Sequence, residues 1–177
     1  MRKDLFQGKT GFNMCPKCSS KDLETKENSI ICLSCGFQFY FNAAAATSCI
    51  ILRDNQILLI ERKKDPGKGL LDLPGGFVDY YESLEQGMTR ELKEEIGVVP
   101  KSLKYFASRP NTYIYREVLY HTVDCFFVGE LSESCELVAG DDAAKLLWAK
   151  LSDINMDEFA FESVKSVVSE FLKKHTY

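Results

Sequence analysis

Acidic residues cluster between positions 82 and 95 of the chain, at spacings that suit metal chemistry. Glu91 and Glu95 lie one helical turn apart, and two like charges at that spacing destabilise a helix unless a cation lies between them. Hard divalent ions such as magnesium prefer such oxygen ligands. The segment therefore predicts a site for Mg²⁺ or Mn²⁺ beside the buried face of a helix, whose apolar residues recur every four positions: Leu84, Met88, Leu92 and Ile96.

The residues around this pair extend the predicted site. Glu94 projects further round the helix. The Gly75-Gly76 pair allows the backbone to approach closely, so that a carbonyl such as that of Gly75 can add an oxygen ligand. Arg90 is expected to tether Glu82 in a structural role. Metal ions held here would neutralise the oxygens of a pyrophosphate and activate the attacking water.

Four of the seven cysteines have a second informative spacing. Two C-x-x-C pairs are separated by thirteen residues, which is typical of a zinc ribbon whose knuckles present four thiolates at the corners of a tetrahedron. The alternatives, buried core thiols or a redox pair, fit less well because redox motifs occur singly in a βαβ context. The sequence predicts one structural zinc ion bound by Cys15, Cys18, Cys32 and Cys35.

The acidic helix is expected to span Ser83 to Ile96. Ser83 and Gln86 form a capping box, and Gly97 is a natural C-terminal stop. β-prone segments bounded by turn residues predict strands at 47–52, 56–62 and, broken by Pro74-Gly75-Gly76, 71–78.

Beyond the helix the pattern returns to strands and closes with a helix. Strands are expected at 103–108, 113–115, 120–129 and 146–150, and an amphipathic helix at 157–174. This order predicts an α/β fold with a mixed sheet between helices. The ribbon is expected to occupy residues 1–40 and the α/β domain residues 41–177.

Composition narrows the class of protein. Of the 177 residues 45% are apolar and 27% charged, which is usual for a globular chain without disorder. No segment has the length and apolarity of a membrane span, and residues 1–9 do not resemble a secretory signal, so a cytoplasmic protein is expected. The net charge of −4 argues against a protein that coats nucleic acid.

The stretch from Gly76 to Val98 resembles the Nudix box, G-x5-E-x7-R-E-U-x-E-E-x-G-U with U aliphatic, and meets every fixed position. The resemblance extends over about residues 41–177 through Leu73-Pro74-Gly75-Gly76 and the strand pattern. It implies an α/β/α sandwich that hydrolyses a nucleoside diphosphate linked to a further group. It also implies that Glu91 and Glu95 bind the metal, with Glu94 assisting.

Members of this family often carry a further acidic residue on a late loop, as catalytic base or metal ligand. Asp142, in the pair Asp141-Asp142, is the nearest candidate here, and a solvated turn is the equal alternative. Two positions depart from the common pattern. Tyr81 replaces a frequent glycine, and Leu71 replaces a frequent tryptophan. Neither departure removes a metal ligand.

A ribbon before a Nudix domain is similar to the architecture of bacterial NADH pyrophosphatases. Their signature after the box is met here only at Ser108 and Pro110. An aromatic ring, an amide and a guanidinium near this stretch suit a base and a phosphate. The candidate substrate-binding residues are Arg62, Phe77, Arg109, Asn111 and Tyr113.

The predicted activity is magnesium-dependent cleavage of the pyrophosphate bond in a nucleoside-diphosphate-X substrate such as NADH or ADP-ribose. Two alternatives remain: a sanitising hydrolase of nucleoside triphosphates, and a nucleotide sensor whose ribbon binds nucleic acid or protein. The expected partner is a small nucleotide. Binding to nucleic acid or to a membrane is not expected, and a homodimer stays open alongside a monomer.

Overall fold

Short strands and tight turns build two units, which are described separately below. The computed structural model describes residues 12–115, 118–132, 135–140 and 143–175. One compact unit contains the residues up to Ala43 together with 113–121, and the other contains residues 44–112 and the residues from Thr122 onward. The chain therefore passes between the units at three points.

The first unit contains a small antiparallel sheet. Its strands are β1 (Leu23–Thr25), β2 (Ser29–Cys32) and β3 (Gln38–Tyr40), in the spatial order β1-β2-β3. Ile30 in the central strand is fully buried. Phe12, Phe39 and Phe41 form a ring cluster with centroids 5.4–6.2 Å apart. Among the described residues of this unit few side chains are buried, and such a small core is weak for a segment of this size, so a bound metal would matter there.

The second unit is built on a mixed sheet. Its elements are β4 (Ala44–Arg53), β5 (Gln56–Arg62), β6 (Leu71–Asp72), β7 (Gly75–Phe77), α1 (Leu84–Ile96), β8 (Ser102–Tyr115), β9 (Val118–Glu130), β10 (Ala143–Lys150) and α2 (Glu162–His175). The end of β8 and the start of β9 fall within 113–121 and so belong to the first unit. The main path runs β10-β5-β4-β9-β8, with β6 beside β5 and β7 beside β4. The pair β4–β9 is parallel, and β5 runs antiparallel to both β4 and β10. Asp54 and Asn55 adopt left-handed conformations (φ 48° and 61°), which is typical of a tight turn between two antiparallel strands such as β4 and β5.

The sheet lies between two helical layers because alternate residues of β4 face opposite sides. Ile50 belongs to the apolar cluster that includes α2, whereas Cys49 and Ile51 belong to the cluster that includes α1. The two clusters are the two halves of an α/β/α sandwich, as the sequence predicted. Each helix contributes its buried stripe: Met88, Leu92 and Ile96 from α1, and Val164, Val167, Val168 and Phe171 from α2.

Among the element boundaries that differ from the sequence predictions, two have a clear structural basis. The closing helix begins at Glu162 rather than at residue 157, because Phe159 forms a parallel bridge with Leu71 and Ala160 N–H donates to the Leu71 carbonyl at 2.9 Å. The segments predicted at 103–108 and 113–115 are one strand, β8, which runs through Pro110. None of the helices within the described residues has the length and apolarity needed to cross a bilayer.

Candidate active site

Helix α1 is fixed at both ends, and this sets the direction of its acidic side chains. Ser83 is the N-cap and forms the predicted capping box with Gln86, each side chain accepting a backbone N–H of the other residue. Gly97 ends the helix in the left-handed conformation (φ 76°). Leu92 and Ile96 are fully buried. The apolar stripe and the two caps therefore determine where Glu91, Glu94 and Glu95 point.

Glu95 is a buried carboxylate at the junction of α1 and β7. The residue is 8% exposed, and its Oε2 accepts the Gly75 backbone N–H at 2.7 Å. Gly75 is itself confined, since an added Cβ would lie 2.0 Å from the Thr47 carbonyl oxygen. The hydrogen bond fixes the position of the Glu95 carboxylate relative to β7.

Glu91 lies against Gly76, the residue that follows Gly75 in β7. A Cβ on Gly76 would sit 2.5 Å from Glu91 Oε1, so a larger residue there would displace this carboxylate from its position. Burial raises the pKa of Glu91, and the neighbouring Arg90 acts in the opposite direction. Glu91 and Glu95 thus converge on Gly75-Gly76 from one face of the helix.

Arg90 organises the other carboxylates near the helix. Its guanidinium donates from Nε and Nη2 to Glu82 at 2.9 and 3.0 Å, and from Nη2 to the Phe77 carbonyl at 2.8 Å. Its Nη1 donates to Glu91 at 2.8 Å and to Glu94 at 3.2 Å. The Arg90 hydrogen bonds lower the pKa of Glu82. These contacts tie the loop after β7 to the helix.

The charge balance around Arg90 favours a further cation. Four carboxylates lie 2.8–3.8 Å from its guanidinium, which leaves three negative charges in excess before Glu95 is counted. The side chain of Glu94 is 59% exposed and can turn toward solvent. Hard oxygen donors on a rigid helix, with excess negative charge, fit a divalent ion such as Mg²⁺. Asp79, one of the four, was missed in the sequence analysis, because it precedes the helix without a recognisable motif.

A second loop approaches the C-terminal end of α1. Gly140 N–H donates to the Glu95 carbonyl at 2.8 Å, and a Cβ on Gly140 would lie 2.0 Å from the Glu94 carbonyl oxygen. Asp142, the predicted base, follows two residues later and lies outside the described residues. Its role stays a prediction.

Arg62, predicted to bind substrate, forms a hydrogen bond, an ion pair and a cation–π contact with neighbouring residues. Its Nε donates to the Pro66 carbonyl at 2.8 Å, its NH1 pairs with Asp72 at 2.8 Å, and its guanidinium lies 4.8 Å from the centre of the Phe161 ring. Asp72 Oδ1 accepts the Leu73 N–H at 2.9 Å. These contacts brace the chain just before Leu73-Pro74-Gly75-Gly76. No local pattern in the sequence indicates that Asp72 is the partner of Arg62.

Of the other predicted substrate residues, Arg109 is held by α2 and Phe77 adjoins the site. Arg109 donates to Ser166 Oγ at 3.1 Å and pairs with Glu170, both on α2. Asn111 Oδ1 accepts the Thr112 N–H at 2.9 Å. Phe77 is 43% exposed on β7 and adjoins the site. Tyr113 belongs to β8, and its side chain lies outside the described part of the chain.

The four ribbon cysteines converge as their spacing predicted. Their sulfur atoms all lie within 4.8 Å of one another, with Cys15–Cys35 at 3.7 Å and Cys18–Cys32 at 3.6 Å. A tetrahedral zinc with bonds of about 2.3 Å requires sulfur atoms about 3.8 Å apart. The thiols therefore fit a tetrahedral metal.

Asp72 leads to a pH-dependent prediction about stability. Burial raises its pKa from 3.8 to about 6, although Arg62 acts in the opposite direction. A carboxyl with a raised pKa in the folded state stabilises the fold below its unfolded pKa and loses that contribution as pH rises through the folded value. Relative to Asp72→Asn, we expect the free energy of unfolding of the native protein to fall by about 2 kcal/mol between about pH 4.5 and 7.

Urea denaturation of the two proteins across this range measures that difference. The Asn variant is the reference because it keeps the size of the side chain but does not titrate. If the difference in free energy of unfolding between the two proteins stays constant with pH, the raised pKa is not that of Asp72.

The sandwich, the capped helix and its converging glutamates define a class of hydrolase, and comparison with known proteins agrees. The model of the NUDIX domain matches residues 43–170. The chain belongs to the Nudix family, which confirms the resemblance drawn from the box. It is a Nudix hydrolase, an enzyme that acts on pyrophosphate bonds.

Individual members of the family are similar to this chain over different lengths. The ADP-ribose pyrophosphatase of Methanocaldococcus jannaschii is 37% identical over 139 residues, which cover 77% of this chain and 78% of the relative. The NAD-capped RNA hydrolase NudC of Haemophilus influenzae is 34% identical over 99 residues. That match covers 54% of this chain and only 38% of NudC.

Solved structures support the fold. A NUDIX hydrolase from Nitrosomonas europaea superposes with a TM-score of 0.69 at 20% identity and 93% coverage of both chains. The NUDIX domain of Shewanella oneidensis NrtR, complexed with ADP ribose, gives a TM-score of 0.62 at 23% identity, with 78% of this chain and 91% of that chain covered. At these identities the likeness establishes the architecture alone.

Proposed function

We propose that the enzyme hydrolyses the pyrophosphate bond of a nucleoside-diphosphate-X substrate of the ADP-ribose type, with Mg²⁺ or Mn²⁺ at the acidic face of α1. One observation carries the proposal: the carboxylates of Glu91 and Glu95 converge on Gly75-Gly76. Glu91, Glu95 and the Gly75 carbonyl are the proposed ligands, and Glu94 assists from the exposed side of the helix.

Each residue of the site has a separate role in the proposed reaction. The metal, when bound, neutralises the substrate's pyrophosphate oxygens and lowers the pKa of an attacking water. Glu95 is held by the Gly75 N–H, and Glu91 is held by Arg90 and enclosed against Gly76. Arg90 and Glu82 keep the acidic face in register. Asp142 is the proposed base, supported by the packing of Gly140 against the end of α1.

The substrate class rests on the relatives. The M. jannaschii protein aligns with three quarters of this chain and is named an ADP-ribose pyrophosphatase. NudC, with its shorter match, is named for an NAD-capped substrate. Both names share an adenosine diphosphate joined to a further group, so this is the proposed substrate chemistry. Phe77 and Tyr113 are proposed to contact the second base where the substrate is a dinucleotide, and Arg62, Arg109 and Asn111 keep their proposed role at the substrate.

The ribbon is proposed to hold one structural zinc through its four cysteines, supported by the sulfur distances above. Residues 1–40 and 41–177 are the proposed domains. Zinc binding contributes about 10–16 kcal/mol in small metal-folded peptides, which compensates for a core as small as that of β1–β3.

A substrate panel tests the function. With Mg²⁺ present, we expect kcat/KM for ADP-ribose or NADH to exceed that for ATP by about tenfold or more, because a second sugar or base adds contacts that a terminal phosphate lacks. Released AMP, separated by chromatography, is the readout for the first two substrates, and pyrophosphate or phosphate for ATP.

Two results would overturn the proposal. Equal specificity constants for all three compounds would leave a general pyrophosphohydrolase without the proposed substrate class. Binding of ADP-ribose without turnover of any compound would instead support the sensor alternative.

A further inference from the structure

Two adjacent tyrosines in the loop between β7 and α1 are almost entirely exposed. The relative exposure of Tyr80 is 94% and that of Tyr81 is 105%. Tyr81 also adopts a left-handed backbone conformation, with φ 69°. Residues with a side chain rarely adopt this conformation unless their surroundings impose it, and such strain concentrates at ligand sites. Two large rings held in water on a strained turn do not contribute to a core.

The loop that carries them is fixed at several points. Val78 N–H donates to the Ala45 carbonyl at 3.0 Å, and Asp79 N–H donates to Glu82 Oε2 at 3.1 Å. Glu82 N–H donates to the Asp79 carbonyl at 3.3 Å, which closes a tight turn around the two tyrosines. Its backbone is therefore positioned independently of any packing by the rings.

The same turn is joined to the metal-binding face. Glu82, the next residue after Tyr81, shares the Arg90 guanidinium with Glu91. Consecutive Cα atoms are about 3.8 Å apart, so both rings begin within two residues of this network. Both rings therefore extend from a turn whose next residue, Glu82, belongs to the hydrogen-bond network around Glu91.

We propose that Tyr80 and Tyr81 form a stacking subsite for the adenine base of the nucleoside-diphosphate substrate. The proposal rests on the proposed function, and it specifies which residues of that site select the substrate. A protein partner is the less favoured occupant, because the residues that flank the pair in the chain, Asp79 and Glu82, are charged rather than apolar, and both pair with Arg90. A flat base attached to phosphates matches rings beside a cation site.

Substitutions at Tyr81 distinguish the effect of the aromatic ring from the effect of the strained backbone conformation. Tyr81→Asn removes the ring but tolerates the left-handed conformation, and Tyr81→Phe keeps both the ring and the strain. With ADP-ribose and Mg²⁺, we expect Tyr81→Asn and Tyr80→Ala each to raise KM about tenfold with kcat within a factor of about two. Tyr81→Phe should leave both constants within about twofold of the native values.

Stability and binding measurements complete the test. The melting temperature of Tyr81→Asn should equal or exceed that of the native protein, because the strain is relieved. Calorimetric titration of ADP-ribose into Glu95→Gln, with and without Tyr81→Asn, should show the same loss of affinity without turnover.

The outcomes are distinct. If the native enzyme hydrolyses ADP-ribose but neither tyrosine substitution changes KM, the subsite is wrong and the proposed function stands. A loss of self-association without a change in KM would assign the rings to a contact between copies of the chain and overturn the subsite. If the native protein neither hydrolyses nor binds ADP-ribose, both proposals fail together.

Discussion

The Glu95→Gln variant is expected to lose hydrolytic activity by about a hundredfold or more, because it removes a charged metal ligand at the reacting centre. Glutamine keeps the size of the side chain and an oxygen that can still accept the Gly75 N–H, so the fold should persist. Steady-state turnover of ADP-ribose at saturating Mg²⁺ measures the effect, and the melting temperature monitors folding.

The matched control is Glu85→Gln on the same helix. Glu85 is an exposed residue in the first turn whose carboxylate accepts the Ser83 hydroxyl at 2.8 Å. The control makes the same chemical change away from β7 and should retain turnover within about twofold. Near-native activity of Glu95→Gln would refute the metal assignment, and an equal loss in Glu85→Gln would point to the helix rather than to the ligand.

The second large effect is expected in the ribbon. Replacing Cys32 with Ser should reduce bound zinc from one ion per chain to nearly none after dialysis, and residues 12–41 should lose their folded NMR resonances. The reason is that metal binding supplies most of the folding free energy of such small modules. Elemental analysis and heteronuclear NMR spectra measure the two effects independently.

Cys135→Ser is the corresponding control, since Cys135 lies outside the ribbon and is only partly buried. Its zinc content should match that of the native protein. Absence of zinc from protein prepared without a chelator, or retention of zinc by Cys32→Ser, would show that the four-thiol site is not a zinc site.

Much of the acidic site was predictable because its determinants are local. The capping box, the four-residue apolar period and Gly97 all lie within fifteen residues, and together they define α1 and the direction of Glu91 and Glu95. The cysteine cluster follows the same logic, since two tight knuckles need only a short hairpin to bring them together.

Contacts between distant segments were not predictable in this way. Arg109 binds Ser166 and Glu170, which follow it by 57 and 61 residues, and no local pattern identifies those partners. The start of α2 depends on the bridge between Phe159 and Leu71. The apolar period alone predicted a helix that begins too early, because periodicity does not show that residues such as Phe159 pair with a strand instead.

Pro110 illustrates a different limit. A proline inside a strand pattern favours a break, and the sequence therefore predicts separate strands on the two sides of Pro110, at 103–108 and 113–115. The structure continues β8 through Pro110 because β8 is the last strand on the main path of the sheet. A proline that cannot donate a ladder hydrogen bond is tolerated at such an edge. Strand order decides whether a strand can continue through a proline, and strand order depends on the whole chain.

The three passages of the chain between its compact units affect how the protein can be dissected. A fragment starting at Ala44 would still contain residues 113–121, which belong to the other unit. Such a truncation would leave that segment without its native neighbours, and a protease cut near residue 43 would separate the ribbon from part of its own unit. Clean excision of either unit requires that the segment between Thr112 and Thr122 be replaced by a short turn as well.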